Sequence, residues 1–342
     1  MHHPISKKSN SKSLIASFPE DQVLDQTLRP STFREFIGQE KVKENLKVMI
    51  GAAKGRKEPL EHILIYGPSG LGKTTLAHII AKECAANIKI TSGAALEKAG
   101  DIAAILTGLQ DGDVFFIDEV HRLNKLIEEV LYPAMEGFKL DIVIGKGVSA
   151  KTIQINLPRF TLVAATTRIA LLSSPFRSRF GVNYRLNFYS HENIEKIIER
   201  SAKILNIKME KETEKMLAQA SRYTPRIANK LLKRTRDLAQ VRGEKVINPK
   251  IVSETLSMLD IDELGLESTD RKILQIIIEN FNGGPVGIKT IAASLAEEEE
   301  TIEDVFEPYL MQIGFLARTP KGRIATRLAF EHLGIKNQLE II

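Results

Sequence analysis

The chain has 342 residues, enough for two or three domains with separate cores. Its 43% hydrophobic and 27% charged residues are ordinary for a globular protein, and its one Cys excludes a disulfide framework and fits a reducing, cytoplasmic setting. No apolar run approaches membrane-spanning length, the N-terminus lacks a signal-peptide core, and the net charge of +5 weakly favours a polyanionic partner.

Residues 1–18 are dominated by Ser, Lys and Asn and read as a disordered arm. His2 and His3 stand without further ligands, so no metal site is read there. After the turn-forming Leu28–Gln39, a helix is predicted from Glu40 to about Lys54. His62–Tyr66 is a short apolar run that reads as a buried strand. It leads into Gly67-Pro68-Ser69-Gly70-Leu71-Gly72-Lys73-Thr74-Thr75, and apolar residues at helical spacing follow. Strand, glycine loop and helix start together aim backbone N–H groups and a helix N-terminus at an anion. Gly67, Gly70 and Gly72 let the backbone wrap closely around phosphates. Lys73 would reach the β and γ phosphates, and the Thr74 hydroxyl would ligate Mg²⁺. Cys84, on the apolar background of the next helix, reads as a buried small side chain.

Further strands are predicted at Ile88–Thr91, Asp113–Ile117 and Thr161–Ala165, with helices between them. This alternation argues for a parallel α/β sheet with helices on both faces, which binds ligands at the carboxyl ends of its strands. Asp118 and Glu119 follow the apolar run Val114–Ile117, an expensive place for carboxylates without a task. Asp118 would hold Mg²⁺ through water, and Glu119 would orient and polarise an attacking water. Thr167, just past another strand, could sense a γ-phosphate or hold that water. Between these, Leu140–Ile144 and Thr152–Leu157 flank a glycine-bearing connection and read as a β-hairpin. Its Ile142 and Ile144 share one face, which either packs on the core or waits for a partner. In Ser174–Gly181, Arg177 and Arg179 either end a helix in solvent or present a guanidinium to a neighbouring subunit's nucleotide.

From about Tyr184 the pattern is helical only: His191–Leu205, Lys211–Ser221 and Pro225–Arg242. Arg226 follows a Thr-Pro helix start and could fold over a nucleotide. The last unit has helices at Asp270–Asn280, Ile288–Ala296 and Thr301–Ile313, with the acidic run Glu297–Glu300 between the latter two. Two short strands around a basic turn then carry Arg318, Lys321 and Arg323, with Arg327 beyond. Helices followed by such a wing suit a winged helix-turn-helix that contacts DNA phosphates.

Taken together, these motifs resemble the AAA+ ATPases, and within them the RuvB family of Holliday-junction branch-migration motors. The resemblance rests on Leu28–Gln39, the glycine loop, Phe115–Leu123, Ala165–Arg168, Ser174–Gly181, Thr224–Asn229, Thr301–Leu310 and Gly314–Arg323. It implies an α/β P-loop domain over 19–183, a helical lid over 184–257 and a winged-helix domain over 258–342. It also implies ATP hydrolysis with Mg²⁺, helicase activity in recombination and SOS-linked DNA repair, a homo-hexamer, and RuvA, RuvC and junction or duplex DNA as partners. The resemblance implies catalytic roles for Lys73, Asp118, Glu119, Thr167 and Arg179, the last matching the arginine finger better than Arg177. Nucleotide contacts would come from Leu28, Arg29, Gly67, Gly70, Gly72, Lys73, Thr74, Thr75, Glu136, Gly137, Phe138, Tyr189 and Arg226, with metal contacts from Thr74 and Asp118. Ile142 and Ile144 would dock RuvA, and Arg318 and Arg323 would hold DNA phosphates.

Three positions depart from the family pattern. Ser69 replaces a Pro, Tyr223 replaces a Gly, and Glu299 stands where the family often has a DNA-contacting Arg. The alternative reading is an ATP-controlled DNA-binding switch, or a clamp-loader-like protein, that moves no strand.

Overall fold

The computed structural model describes residues 26–144 and 151–335. The polar arm, the centre of the predicted hairpin and the last seven residues lie outside them.

The first helix, α1 (Glu40–Arg56), buries Leu46, Ile50 and Ala53 and leads to β1 (Ile63–Tyr66). Then come α2 (Lys73–Glu83), β2 (Ile88–Ser92), α3 (Ala99–Thr107) and β3 (Val114–Asp118). After α4 (Lys125–Gly137) the chain forms the antiparallel pair β4 (Lys139–Ile144) and β5 (Lys151–Asn156), then β6 (Thr161–Thr166). A short α5 (Ser174–Arg177) precedes β7 (Val182–Arg185). The five strands outside the hairpin form one parallel sheet in the order β2-β3-β6-β1-β7.

The strand order matters more than the strand count. β6 lies between β1 and β3: Val163 pairs with Ile63 on one side and with Phe116 on the other. Neighbouring strands lie about 4.8 Å apart, so the ends of β1, β6 and β3 deliver their loops to one place. The central strands are buried on both faces, as a doubly covered parallel sheet requires. Ile63, Ile65, Phe116 and Val163 join one apolar cluster, and Leu64, Phe115, Ile117 and Leu162 join the other.

β7 was not expected. It has four residues, and its outward positions are Asn183 and Arg185. An edge strand buried on one side offers little apolar signal, so the pairing of Ile65 with Tyr184 shows only in the fold.

The helical unit consists of α6 (His191–Ile204), α7 (Lys211–Gln219), α8 (Pro225–Val241) and α9 (Pro249–Met258). Its apolar faces share the first cluster with the sheet: Ile194, Leu217, Leu231 and Val252 lie in the same core as Ile63 and Leu76. The last unit has its own core around Ile273, Ile291, Leu310 and Phe330. It contains α10 (Ser268–Gln275), α11 (Ile288–Leu295), α12 (Glu299–Thr301), α13 (Glu307–Gln312), the hairpin β8 (Leu316–Thr319) and β9 (Gly322–Ala325), and α14 (Arg327–His332). No helix among the described residues is long and apolar enough to cross a membrane.

Candidate active site

The site begins with the loop between β1 and α2. A Cβ at Gly67 would sit 2.4 Å from the Leu186 carbonyl oxygen, so the chain can pass only as glycine. Gly67 also has φ +142°. The Lys73 ammonium is buried and donates to the carbonyls of Gly67 (2.8 Å) and Pro68 (2.9 Å). Burial lowers its pKa, while the nearby carboxylates of Glu119 and Asp118 act against that shift. The Thr74 hydroxyl, in the first turn of α2, donates to Asp118 Oδ2 at 2.9 Å.

Asp118 and Glu119 close the cleft from the end of β3. Glu119 has φ +47°, an uncommon conformation for a residue with a side chain. Its carboxylate lies under the turn after β6. Oε2 accepts from Thr167 Oγ1 at 3.3 Å and, more weakly, from the Thr167 N–H at 3.4 Å. His121 Nδ1 is 3.2 Å from the same oxygen and 2.9 Å from Thr166 Oγ1. A proton on Nδ1 serves both oxygens, and partial burial lowers the imidazole pKa and favours its neutral form.

The cleft is roofed by the helical unit. A Cβ at Gly70 would meet Thr224 Cγ2 at 2.6 Å and Arg226 Cβ at 3.2 Å, so the start of α8 rests on the loop tip. Arg226 is exposed, with its guanidinium 3.5 Å from Ser69 Oγ. Tyr189 is buried beneath the loop, where its hydroxyl donates to the Leu71 carbonyl at 3.1 Å. Leu28 and Arg29 line the same cleft as Tyr189.

Leu28, Arg29, Gly70, Gly72, Lys73, Thr74, Thr75, Asp118, Glu119, Tyr189 and Arg226 therefore line one cleft. Gly67 lies at its root and Thr167 touches it through Glu119.

Other predicted residues lie elsewhere. Glu136, Gly137 and Phe138 do not line the cleft. They end α4, where Phe138 packs edge-on against Phe160 and His62. Arg179 lies beside them, with Nε 3.1 Å from Glu136 Oε1 and its guanidinium 4.0 Å above the Tyr132 ring. The finger candidate and the Glu136–Phe138 segment thus share a surface away from this chain's own cleft. A helix that ends at Gly137 on the hairpin side of the sheet cannot also reach the glycine loop.

Arg323 also differs from its expected exposure. It is 6% exposed, and its guanidinium is held by Glu307 (Nε–Oε1 2.5 Å) and Glu303 (Nη2–Oε1 2.8 Å). Facing it across the wing, Arg318 is exposed and reaches Glu303 at 3.2 Å. Ile142 pairs with Ile153 and Ile144 with Lys151, but the side chains of Ile142 and Ile144 lie outside the described residues.

Some site residues were not anticipated. Arg200 on α6 donates to the Leu28 carbonyl at 2.8 Å and pairs with Glu35 at 3.1 Å, fixing the Leu28 turn to the helical unit. One arginine on an amphipathic helix carries no signal of that role. His121, two residues beyond Glu119, could have been noticed from its spacing.

Comparison with known proteins assigns the family. The model of the Holliday junction DNA helicase RuvB P-loop domain matches residues 28–186, that of the RuvB AAA lid domain 189–262, and that of the RuvB C-terminal winged helix domain 263–334. The chain belongs to the RuvB family. The Holliday junction branch migration complex subunit RuvB of Chloroflexus aurantiacus is 58% identical over 316 residues, covering 92% of this chain and 90% of that one. The RuvB of Chloroflexus aggregans matches at the same identity and coverage. Among solved structures, the Thermotoga maritima RuvB Holliday junction branch migration motor superposes with a TM-score of 0.84 at 52% identity, over 91% of this chain and 99% of that one. RuvB-family membership makes the chain a P-loop ATPase of the AAA+ class, with a lid and a winged helix.

Proposed function

We propose that this chain is the ATP-driven motor of Holliday-junction branch migration and acts with RuvA on junction and duplex DNA in recombination and repair. It would work in the cytoplasm as a hexameric ring, with RuvC joining for resolution. Residues 19–183 would form the ATPase domain, 184–257 the lid and 258–342 the DNA-binding winged helix.

The reading is carried by the convergence of three adjacent strand ends. β1 supplies the glycine loop, β3 supplies Asp118 and Glu119, and β6 supplies Thr167. Phosphoryl transfer needs mainly positioning and charge neutralisation, and this arrangement offers both. Leu28, Arg29 and Tyr189 would hold the nucleoside end. Lys73 would exchange its two carbonyl partners for phosphate oxygens. Glu119 would take a proton from the attacking water, with Thr167 fixing its carboxylate. Arg226 would contact the γ-phosphate from the lid.

The paired oxygens of Thr74 and Asp118, 2.9 Å apart, suit a small hard cation that keeps most of its waters. Mg²⁺ held there would neutralise charge on the phosphate oxygens. The position of Arg179 away from this chain's cleft supports a finger that serves the neighbouring subunit, with Glu136–Phe138 on the same contact face. Ile142 and Ile144 would meet RuvA, and Arg318 would contact DNA phosphate.

The test combines the protein with RuvA, ATP and a synthetic four-way junction. Junction dissociation with ATP, and none with a non-hydrolysable analogue, is expected. Binding without dissociation would replace the motor by an ATP-controlled assembly switch.

A further inference from the structure

The turn after β6 is tied on two sides. Towards the cleft, Thr167 donates to Glu119 Oε2, and the Arg168 N–H donates to Thr166 Oγ1 at 2.9 Å. That hydroxyl oxygen is also the partner of His121, whose Nδ1 lies against Glu119. Away from the cleft, the Arg168 side chain crosses to the winged helix. Its Nε lies 2.7 Å from Asp304 Oδ2 and 2.8 Å from Oδ1, and its Nη1 lies 3.4 Å from Glu300 Oε1. A contact 136 residues long in sequence thus ends on the residue next to Thr167, which donates to Glu119.

We propose that Arg168 is a positioning residue for Glu119, held by the winged-helix carboxylates Asp304 and Glu300. The proposal rests on the reading of Glu119 as the base that activates water. The bonds from Thr167 to Glu119 are long, at 3.3 and 3.4 Å, so a small shift of the turn breaks them. Misplacement of a catalytic group by about 1 Å costs on the order of 10²-fold in rate. Arg168 is largely covered, whereas Asp304 and Glu300 remain accessible on the winged-helix side. Displacement of the winged helix therefore reaches Glu119 through Arg168 and its two carboxylate partners, and the domain that bears the DNA influences the hydrolytic step by way of the turn after β6. It also gives Glu300, the last residue of the acidic run Glu297–Glu300, a use in place of phosphate binding.

The experiment measures steady-state ATPase rates of the full-length protein without DNA, and binding of a fluorescent ADP analogue. The variants are Arg168→Gln, Asp304→Asn, their combination, and the exchange Arg168→Asp/Asp304→Arg. Each single change is expected to lower kcat about threefold to tenfold while KM and ADP affinity stay within about twofold. The combination should fall no further than Arg168→Gln, and the exchange should restore more than half of the lost rate. Additive losses, a rise in kcat, or an unchanged rate in Asp304→Asn would overturn the proposal. Glu119→Gln is the separate control: it should bind ATP and not turn it over, and retained turnover would remove the reading beneath the proposal and the proposal with it.

Discussion

Arg222 and Asp270 form a two-pronged ion pair, Nη1–Oδ2 at 2.9 Å and Nη2–Oδ1 at 3.2 Å, with the Asp270 side chain 0% exposed. It joins the turn just before α8, the helix of Arg226, to the first helix of the winged helix. The Arg222 guanidinium also lies 4.5 Å above the Tyr309 ring. Removal of one partner from a buried pair leaves an uncompensated charge, at a cost of about 3–5 kcal/mol. Arg222→Ala should lose that much in urea unfolding. Arg222→Met combined with Asp270→Asn should lose less, because no lone charge remains.

Arg179 should act across a subunit boundary. Arg179→Ala and Lys73→Ala should each abolish ATP hydrolysis alone, since a finger contributes about 10³–10⁵ in kcat. Mixed assemblies should regain part of the activity, because an intact finger can meet an intact cleft. Titration of one variant into the other, followed by phosphate release, measures this. A flat titration would return Arg179 to a structural role against Tyr132.

The two wing arginines should separate cleanly. Arg318→Ala should weaken duplex binding and reduce the slope of log affinity against log salt by about 0.9, the value of one phosphate contact. Arg323→Ala should instead destabilise the winged helix, because it strips Glu307 of its buried partner. Fluorescence anisotropy over a salt series and thermal unfolding distinguish the two effects.

His62 gives the fold a pH limit. Its Nδ1 accepts from the Leu162 N–H at 2.9 Å, so the proton sits on Nε2, 3.0 Å from the Met135 carbonyl. Burial holds its pKa below the ordinary 6.5. The unfolded chain therefore takes up a proton first as pH falls. The stability from neutral His62 is complete above pH 6.5 and is lost as pH drops through that value towards the folded pKa. Thermal unfolding between about pH 7.5 and 5.5 should show this decline, and His62→Gln should flatten it.

The chemistry was more legible in the sequence than its surroundings. The glycine loop and Asp118–Glu119 need fixed residue types at fixed spacing next to apolar strands, and both follow the strands that the pattern indicated. Ion pairs such as Arg222–Asp270 and Arg168–Asp304 join residues 48 and 136 apart, where no local period marks a partner. Tyr223 shows how a local rule yields to packing. It has φ +54°, the region where glycine is least strained, and follows Arg222 at φ +55°. Its ring stacks edge-on against His191 at 4.6 Å and lies 6.1 Å from Tyr309. Ring contacts of this kind offset the backbone cost. Sequence reasoning could identify the missing glycine there, but not the aromatic neighbours that replace its advantage.

Lys73 also bears on how quickly the cleft can be used. Its ammonium is already buried and already bonded to the two carbonyls that open the loop. A phosphate oxygen arriving there would trade one pair of acceptors for another, with the lysine already held in place. If Lys73 takes the phosphate role proposed above, capture of the triphosphate would be a swap of partners within a preassembled cradle. Its speed would then depend on how readily Gly67 and Pro68 release the lysine.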